Sequence, residues 1–304
     1  MYLRFIMGAS QVFAVRGKGV VSPAGEVLAS KLNEMLRRGL ALVSGTADAV
    51  DGVRSRFDAA DRVGIKVNTI GGRRISTRPE VPLGLAGWLT RSGIPAKNIL
   101  VWDRTNHELE EAGYKLSDDR NGLKIFGTDT AGAGYETEIN SHLNIGSLFS
   151  TLQTRFVTAS ISLAILKDHG LAGVTASLKN YFGTIHNPNK YHDHRCDPYV
   201  AELFDSAGVK TKHRLSIVDA LVVQYHRGPS FHPQWADASG LLFFSADPVA
   251  ADFAGWQWIE KLRAQKGLPS LKEEGREPLY LATAQAMGLG QASPEGVKII
   301  REEV

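Results

Sequence analysis

The chain has 304 residues, a formal net charge of +3 and 43% apolar residues, to which 31 glycines add. That is enough to bury a sizeable core. The 35 lysines and arginines are scattered, so a sequence pI near 8.9 marks no nucleic-acid binder. One cysteine excludes an internal disulfide and any iron–sulfur cluster ligated by this chain alone. No apolar run approaches the roughly 18–20 residues of a membrane span. The opening MYLRFIMGASQVFAV lacks a signal-peptide layout and leads toward a strand. A cytoplasmic protein is therefore expected, or an exported one if an upstream signal has been removed.

In chain order, QVFAVR at 11–16 reads as a first strand. Apolar residues at helical spacing follow over 26–42, after Ser22 and Pro23, and a second helix is expected over 47–57. RVGIKV at 62–67 is a short buried strand ending in Asn68 and the glycine- and arginine-rich run TIGGRR at 69–74. A helix over 81–92 stops at Gly93. NILVW at 98–102 is the next strand, then a short helix at 108–112 and the strand LKIF at 123–126. This strand–helix rhythm predicts an α/β fold with a mainly parallel or mixed sheet covered by helices. The polar segment 127–144 is too long for a plain connector and reads as a functional loop or an irregular hairpin. A single domain over 1–304 is expected, with a lobe boundary, if any, near 127–150.

The apolar run 157–166 leads into KDHGLAGVTASLKNYFGTIHNPNKYHDHRCD at 167–197, which holds four of the nine histidines and the lone cysteine. The layout predicts a strand end, a helix beginning near Leu171, and a polar loop. Beyond it come a helix at 198–206, a strong apolar strand at 215–223 holding Asp219, and an aromatic loop at 227–239. A strand at 241–244, a helix at 249–263 led by Asp247-Pro248, a helix at 278–287 and a closing strand at 297–300 complete the chain.

Polar residues recur just after the strand-like runs, where ligands gather at the carboxyl edge of an open α/β sheet. Asp168, His169, Lys179 and His186 are the candidate catalytic residues: Asp168, His169 and His186 as proton-transfer groups or metal ligands, and Lys179 as an anion binder or, if desolvated, a base. Lys66, Asn68, Arg73, Asp103, Arg104 and Asn180 are the candidates for holding a small anionic substrate. In an extended segment His192, His194 and Cys196 share one face, and with Asp197 they form a candidate ligand set for a divalent transition metal. Cys196 with a neighbouring histidine is also a candidate nucleophile, and Asp247 reads as an ordinary helix cap. No P-loop, no Gly-x-Gly-x-x-Gly after a strand and no Gly-x-Ser-x-Gly elbow is present, which disfavours nucleotide sites and α/β-hydrolase chemistry.

The runs DRVGIKVN (61–68), WDRTN (102–106), LKDHGLAGVTASLKN (166–180), HNPNKYH (186–192) and SADPVAAD (245–252) together resemble the family named domain of unknown function 362. The resemblance extends from about 12 to 300. It implies an α/β fold. Many members of that family carry ferredoxin-like cysteine motifs or twin-arginine export signals, and this chain carries neither. The expected function is an enzyme with a His-, Asp- and Lys-lined cleft, metal-assisted or not, acting on a small anionic molecule. The alternatives are a non-catalytic protein that binds a metal, a cofactor or a small acid, and a subunit of a redox assembly.

Overall fold

In the computed structural model, which describes residues 9–304, the strands are Ser10–Arg16 (β1), Val63–Lys66 (β2), Ile99–Trp102 (β3), Lys124–Ile125 (β4), Asn140–His142 (β5), Ile145–Ser147 (β6), Ala159–His169 (β7), Gly173–Thr175 (β8), His213–Gln224 (β9), Ala236–Asp237 (β10), Leu241–Ser245 (β11) and Val297–Glu303 (β12). The α-helices are Ala29–Ser44 (α1), Ala49–Arg54 (α2), Glu80–Arg91 (α3), Asn106–Glu111 (α4), Ser177–Asn180 (α5), Tyr199–Asp205 (α6), Ala207–Lys210 (α7), Pro248–Gln265 (α8) and Tyr280–Ala286 (α9).

Ten strands form one sheet along the path β12-β1-β11-β9-β7-β2-β3-β4, with β10 added to β9 and β8 added to β7. From β9 to β4 every neighbour on this path is parallel, and β11 runs against them. The fold is therefore α/β with a mixed, mostly parallel sheet, as the strand–helix alternation predicts.

Side chains alternate across the sheet because successive Cβ atoms leave a strand on opposite faces. Phe13 and Val15 of β1, with Leu242 and Phe244 of β11, join the core under α1, α2 and α3. Val12 and Ala14, with Leu241 and Phe243, face the second core, built with α6, α8 and α9. Asp247 caps α8, accepting from the Val249 and Ala250 amides at 2.8 and 2.9 Å, and Pro248 fills the first position.

One local expectation needs correction. No helix begins near Leu171. The chain instead turns back as β8, pairing His169 with Gly173 and Lys167 with Thr175, and the helix is confined to α5. The Gly173 and Thr175 positions continue β7's ladder, which outcompetes the apolar spacing of Leu171, Val174 and Leu178; Leu171 is exposed. The segment 127–144 leads into a hairpin, β5–β6, whose far end supplies Ile145 to the α6-side core.

Strand β7 matters most for the site. Its Ser162 lies opposite Lys66, where β2 ends, and β7 continues well past that level to His169. The overhang makes a wall above the carboxyl ends of β2 and β3.

Candidate functional site

A cavity of about 210 Å³ lies at this edge, walled by the ends of β2, β3 and β7, by α5 and by the loop after it. Four of the residues lining it are lysines or an arginine: Lys66, Arg104, Lys167 and Lys179. Among the described residues Asp103 is the one carboxylate on the wall.

Lys66 and Asp103 form its base. Both are buried, and Lys66 Nζ donates to Asp103 Oδ1 at 2.6 Å, to the Val67 carbonyl at 2.7 Å and to Asn180 Oδ1 at 3.3 Å. Asp103 Oδ2 accepts from the Thr69 amide and hydroxyl at 2.8 and 2.7 Å, and Oδ1 also accepts from the Arg104 amide at 2.8 Å. Every strong position on this carboxylate is occupied by protein donors. Asn180 completes the frame, its amide donating to the Lys66 carbonyl at 2.7 Å and to Ser162 Oγ at 3.1 Å. A Cβ at Gly183 would lie 2.6 Å from Lys66 Nζ and 3.0 Å from Asp103 Oδ1, so the absent side chain leaves room for the pair.

The other cations have no such partner. Arg104 makes no ion pair among the described residues, and its buried Nε and the buried Asn68 Oδ1 beside the cavity have no hydrogen-bond partner. Lys167, 2% exposed, donates to the Ile70 and Ile75 carbonyls at 2.5 and 3.2 Å. Burial lowers its pKa from 10.5 to about 7, with Lys179 adding to the fall and Asp103 opposing it. Lys179, 7% exposed, sits 4.4 Å from the Phe182 ring centroid, and burial lowers it to about 8.

The histidine tautomers follow from their partners. His192 Nδ1 lies 3.0 Å from the Pro188 carbonyl, which can only accept, so Nδ1 carries the proton and Nε2 accepts from Lys179 Nζ at 3.2 Å. His169 Nδ1 accepts from the Leu171 and Ala172 amides at 3.2 and 3.1 Å, which leaves the proton on Nε2. Burial, then the neighbouring cations, lowers His169 to about 2, and burial with Lys179 also lowers His192. The two rings stack with centroids 5.7 Å apart, both on the cavity wall. The site thus presents two amines of reduced basicity, a guanidinium, and neutral imidazoles fixed in orientation.

Of the expected site residues, the structure gathers Lys66, Asn68, Asp103, Arg104, His169, Lys179, Asn180 and His192 around this one cavity. Asp168 points away. Neighbouring residues on a strand face opposite sides, so Lys167 and His169 look into the cavity while Asp168 accepts from Arg276 Nη1 and the Gly228 amide, each at 2.8 Å. It is a structural ion-pair partner. His186 is exposed and packs edge-on to Tyr135. Arg73 is exposed and lines a separate open cleft with Arg74 and Arg78, on the other side of the 69–78 loop.

The candidate metal set also disperses. The segment is coiled in short turns, with positive φ at His194, Arg195 and Cys196, so the two-residue face of an extended chain does not exist there. His192 enters the cavity, His194 is exposed, Cys196 is buried in the α6-side core, and Asp197 is half-buried. Among the described residues no three His, Cys, Asp or Glu side chains come together as a metal site. Burial pushes the Cys196 thiol up, against the pull of Lys179, which opposes its use as a nucleophile.

Sequence reasoning missed Lys167. The signal was available: it stands two residues before His169 on a strand, on the same face. Pro188, Asn189 and Pro229 also line the cavity and carried no readable signal, since their placement depends on loop turns.

Two solved structures resemble this fold. One is a protein from Thermotoga maritima, 10% identical, with a TM-score of 0.45 over 80% of this chain and 60% of that one. The other is the lactate racemase apoprotein from Thermoanaerobacterium thermosaccharolyticum, 13% identical, with a TM-score of 0.47 over 84% of this chain and 58% of that one. The chain thus spans about three fifths of each. No functionally curated protein matches the sequence. No helix among the described residues is long and apolar enough to cross a membrane. The model of the family described as Domain of unknown function (DUF362) matches residues 63–257, more than half of the chain, from the first residue of β2 into α8 and across every residue of the cavity wall, and the chain belongs to that family.

Proposed function

We propose that this protein binds a small carboxylate- or phosphate-bearing molecule in the β2–β3–β7 cavity and moves a proton to or from it. The observation that carries the reading is an imbalance of charge. Arg104, Lys167 and Lys179 face the cavity with no carboxylate partner among the described residues, while the single wall carboxylate, Asp103, is taken up by Lys66, Thr69 and the Arg104 amide. Buried unpaired cations are costly, and an anion among them restores the balance. The cavity is smaller than the roughly 300–1,000 Å³ of drug-sized ligand sites, which favours a small molecule.

Lys167 and Lys179 would serve as general base or acid near neutral pH, because burial brings their pKa to about 7 and about 8. His169 Nε2–H would donate to a developing oxyanion. Calorimetric titration with small mono- and dicarboxylates and with inorganic phosphate tests the binding half. At least one class should bind, and Arg104→Met and Lys179→Met should each weaken it tenfold or more. Affinity unchanged in both variants would remove the cavity from the account.

A further inference from the structure

We propose that Lys167 is a nucleophilic amine that condenses with the carbonyl of a small 2-oxo acid to form a carbon–nitrogen double bond. The inference rests on the anion-site reading above and names the substrate class.

The geometry separates Lys167 from the other two lysines of the wall. Lys66 is held by a carboxylate at 2.6 Å and serves as a fixed ammonium. Lys179 donates to His192 Nε2 and lies over the Phe182 ring, contacts that favour its charged form. Among the described residues Lys167 touches no carboxylate, and its polar contacts there are the backbone carbonyls of Ile70 and Ile75. A neutral primary amine has two N–H bonds and one lone pair, so two carbonyl acceptors engage both hydrogens and leave the lone pair as the free direction. Gly71, at φ 112, gives the loop the turn that brings both carbonyls onto the amine. Burial supplies the neutral form near pH 7.

The rest of the wall fits a carbonyl next to a carboxylate. Arg104, which meets the Tyr135 hydroxyl but no carboxylate among the described residues, and Lys179 can hold the carboxylate, and His169 Nε2–H, with no acceptor among the described residues, is available to the carbonyl oxygen. In the step itself the Nζ lone pair forms the C–N bond as the C=O π pair moves to oxygen. The oxygen takes up one proton and the nitrogen gives one up, which leaves a carbinolamine. A second proton reaches the hydroxyl, the nitrogen pair forms the double bond as the C–O bond breaks, the oxygen leaves as water, and the nitrogen gives up its remaining proton. One carbonyl and one amine become one imine and one water, with no change in oxidation state.

The test is reductive trapping on the full chain. Pyruvate and glyoxylate are added with sodium cyanoborohydride, followed by intact-mass analysis and peptide mapping. The expected result is a single reduced adduct on the Lys167 peptide, formed at least tenfold faster than with the neutral ketone propanone. Lys167→Arg, which keeps donors for the Ile70 and Ile75 carbonyls but has no nucleophilic amine, should fold with unchanged circular dichroism and lose the adduct at least tenfold. An adduct on Lys179, labelling spread over surface lysines, or equal labelling by propanone would overturn the proposal. Calorimetry on the same samples separates the two claims: pyruvate that binds yet leaves no adduct ends the nucleophile and spares the anion site, and pyruvate, carboxylates and phosphate that all fail to bind end both.

Discussion

Replacing Lys167 by methionine should remove the pH dependence that this buried amine imposes on stability. The folded pKa is about 7 against an ordinary value of 10.5. Between those values the unfolded chain binds a proton that the folded chain does not, so stability rises with pH across that window and the full penalty is felt below pH 7. At about 1.4 kcal/mol per unit, the shift corresponds to a penalty of about 5 kcal/mol at low pH. Raising the pH from 7.5 to 9.5 should recover about 2.5 kcal/mol of it in the wild type. Lys167→Met has no such group, though it leaves the Ile70 and Ile75 carbonyls without their donor at every pH, a constant cost of about 1–3 kcal/mol each at most. Urea denaturation of both proteins at half-unit steps from pH 6 to 9.5 gives the comparison. The difference in unfolding free energy, wild type minus variant, should rise with pH. A difference that stays flat would mean that Lys167 titrates as an exposed lysine and that the unpaired-cation argument is wrong.

Asp103→Ala should destabilise the fold by about 3–5 kcal/mol in chemical denaturation, because it strands Lys66 as a buried charge. Asp168→Asn should cost about 1–3 kcal/mol through the lost Arg276 pair and leave carboxylate affinity within twofold by calorimetry, since the side chain faces away from the cavity. Asp252→Ala should cost about 1–2 kcal/mol and also weaken carboxylate binding, because Asp252 accepts from the Ser177 and Leu178 amides and so sets the start of the helix that carries Lys179 and Asn180. His194→Ala should leave both stability and affinity unchanged, as an exposed residue outside the cavity.

The parts of the site that were legible in the sequence are those fixed by short parallel strands. Lys66, Asp103 and Arg104 follow the apolar runs of β2 and β3 directly, and parallel pairing of those strands places their ends together whatever the loops do. Strand parity then separates His169 from Asp168, a distinction that residue type alone does not make: both are candidate catalysts in the sequence, and Asp168 instead holds Arg276. The shared face of His192, His194 and Cys196 holds only in an extended segment, and nothing in the composition of 186–197 announces left-handed backbone at His194, Arg195 and Cys196. That one conformational fact sends the expected metal ligands in different directions. Arg73 was lost for a similar reason, since the path of the 69–78 loop, pinned from below by Lys167, puts it in the neighbouring cleft.

The measurement closest to the central claim is the titration of the Lys167 and Lys179 side chains by nuclear magnetic resonance, with labelled lysines assigned through Lys→Arg variants. Without ligand the two should titrate near 7 and near 8. With a saturating carboxylate that carries no carbonyl, both should move up by a unit or more toward the ordinary lysine value as the anion supplies the missing partner. Two lysines that titrate above 10 in the free protein, or that do not respond to any small anion, would contradict the account.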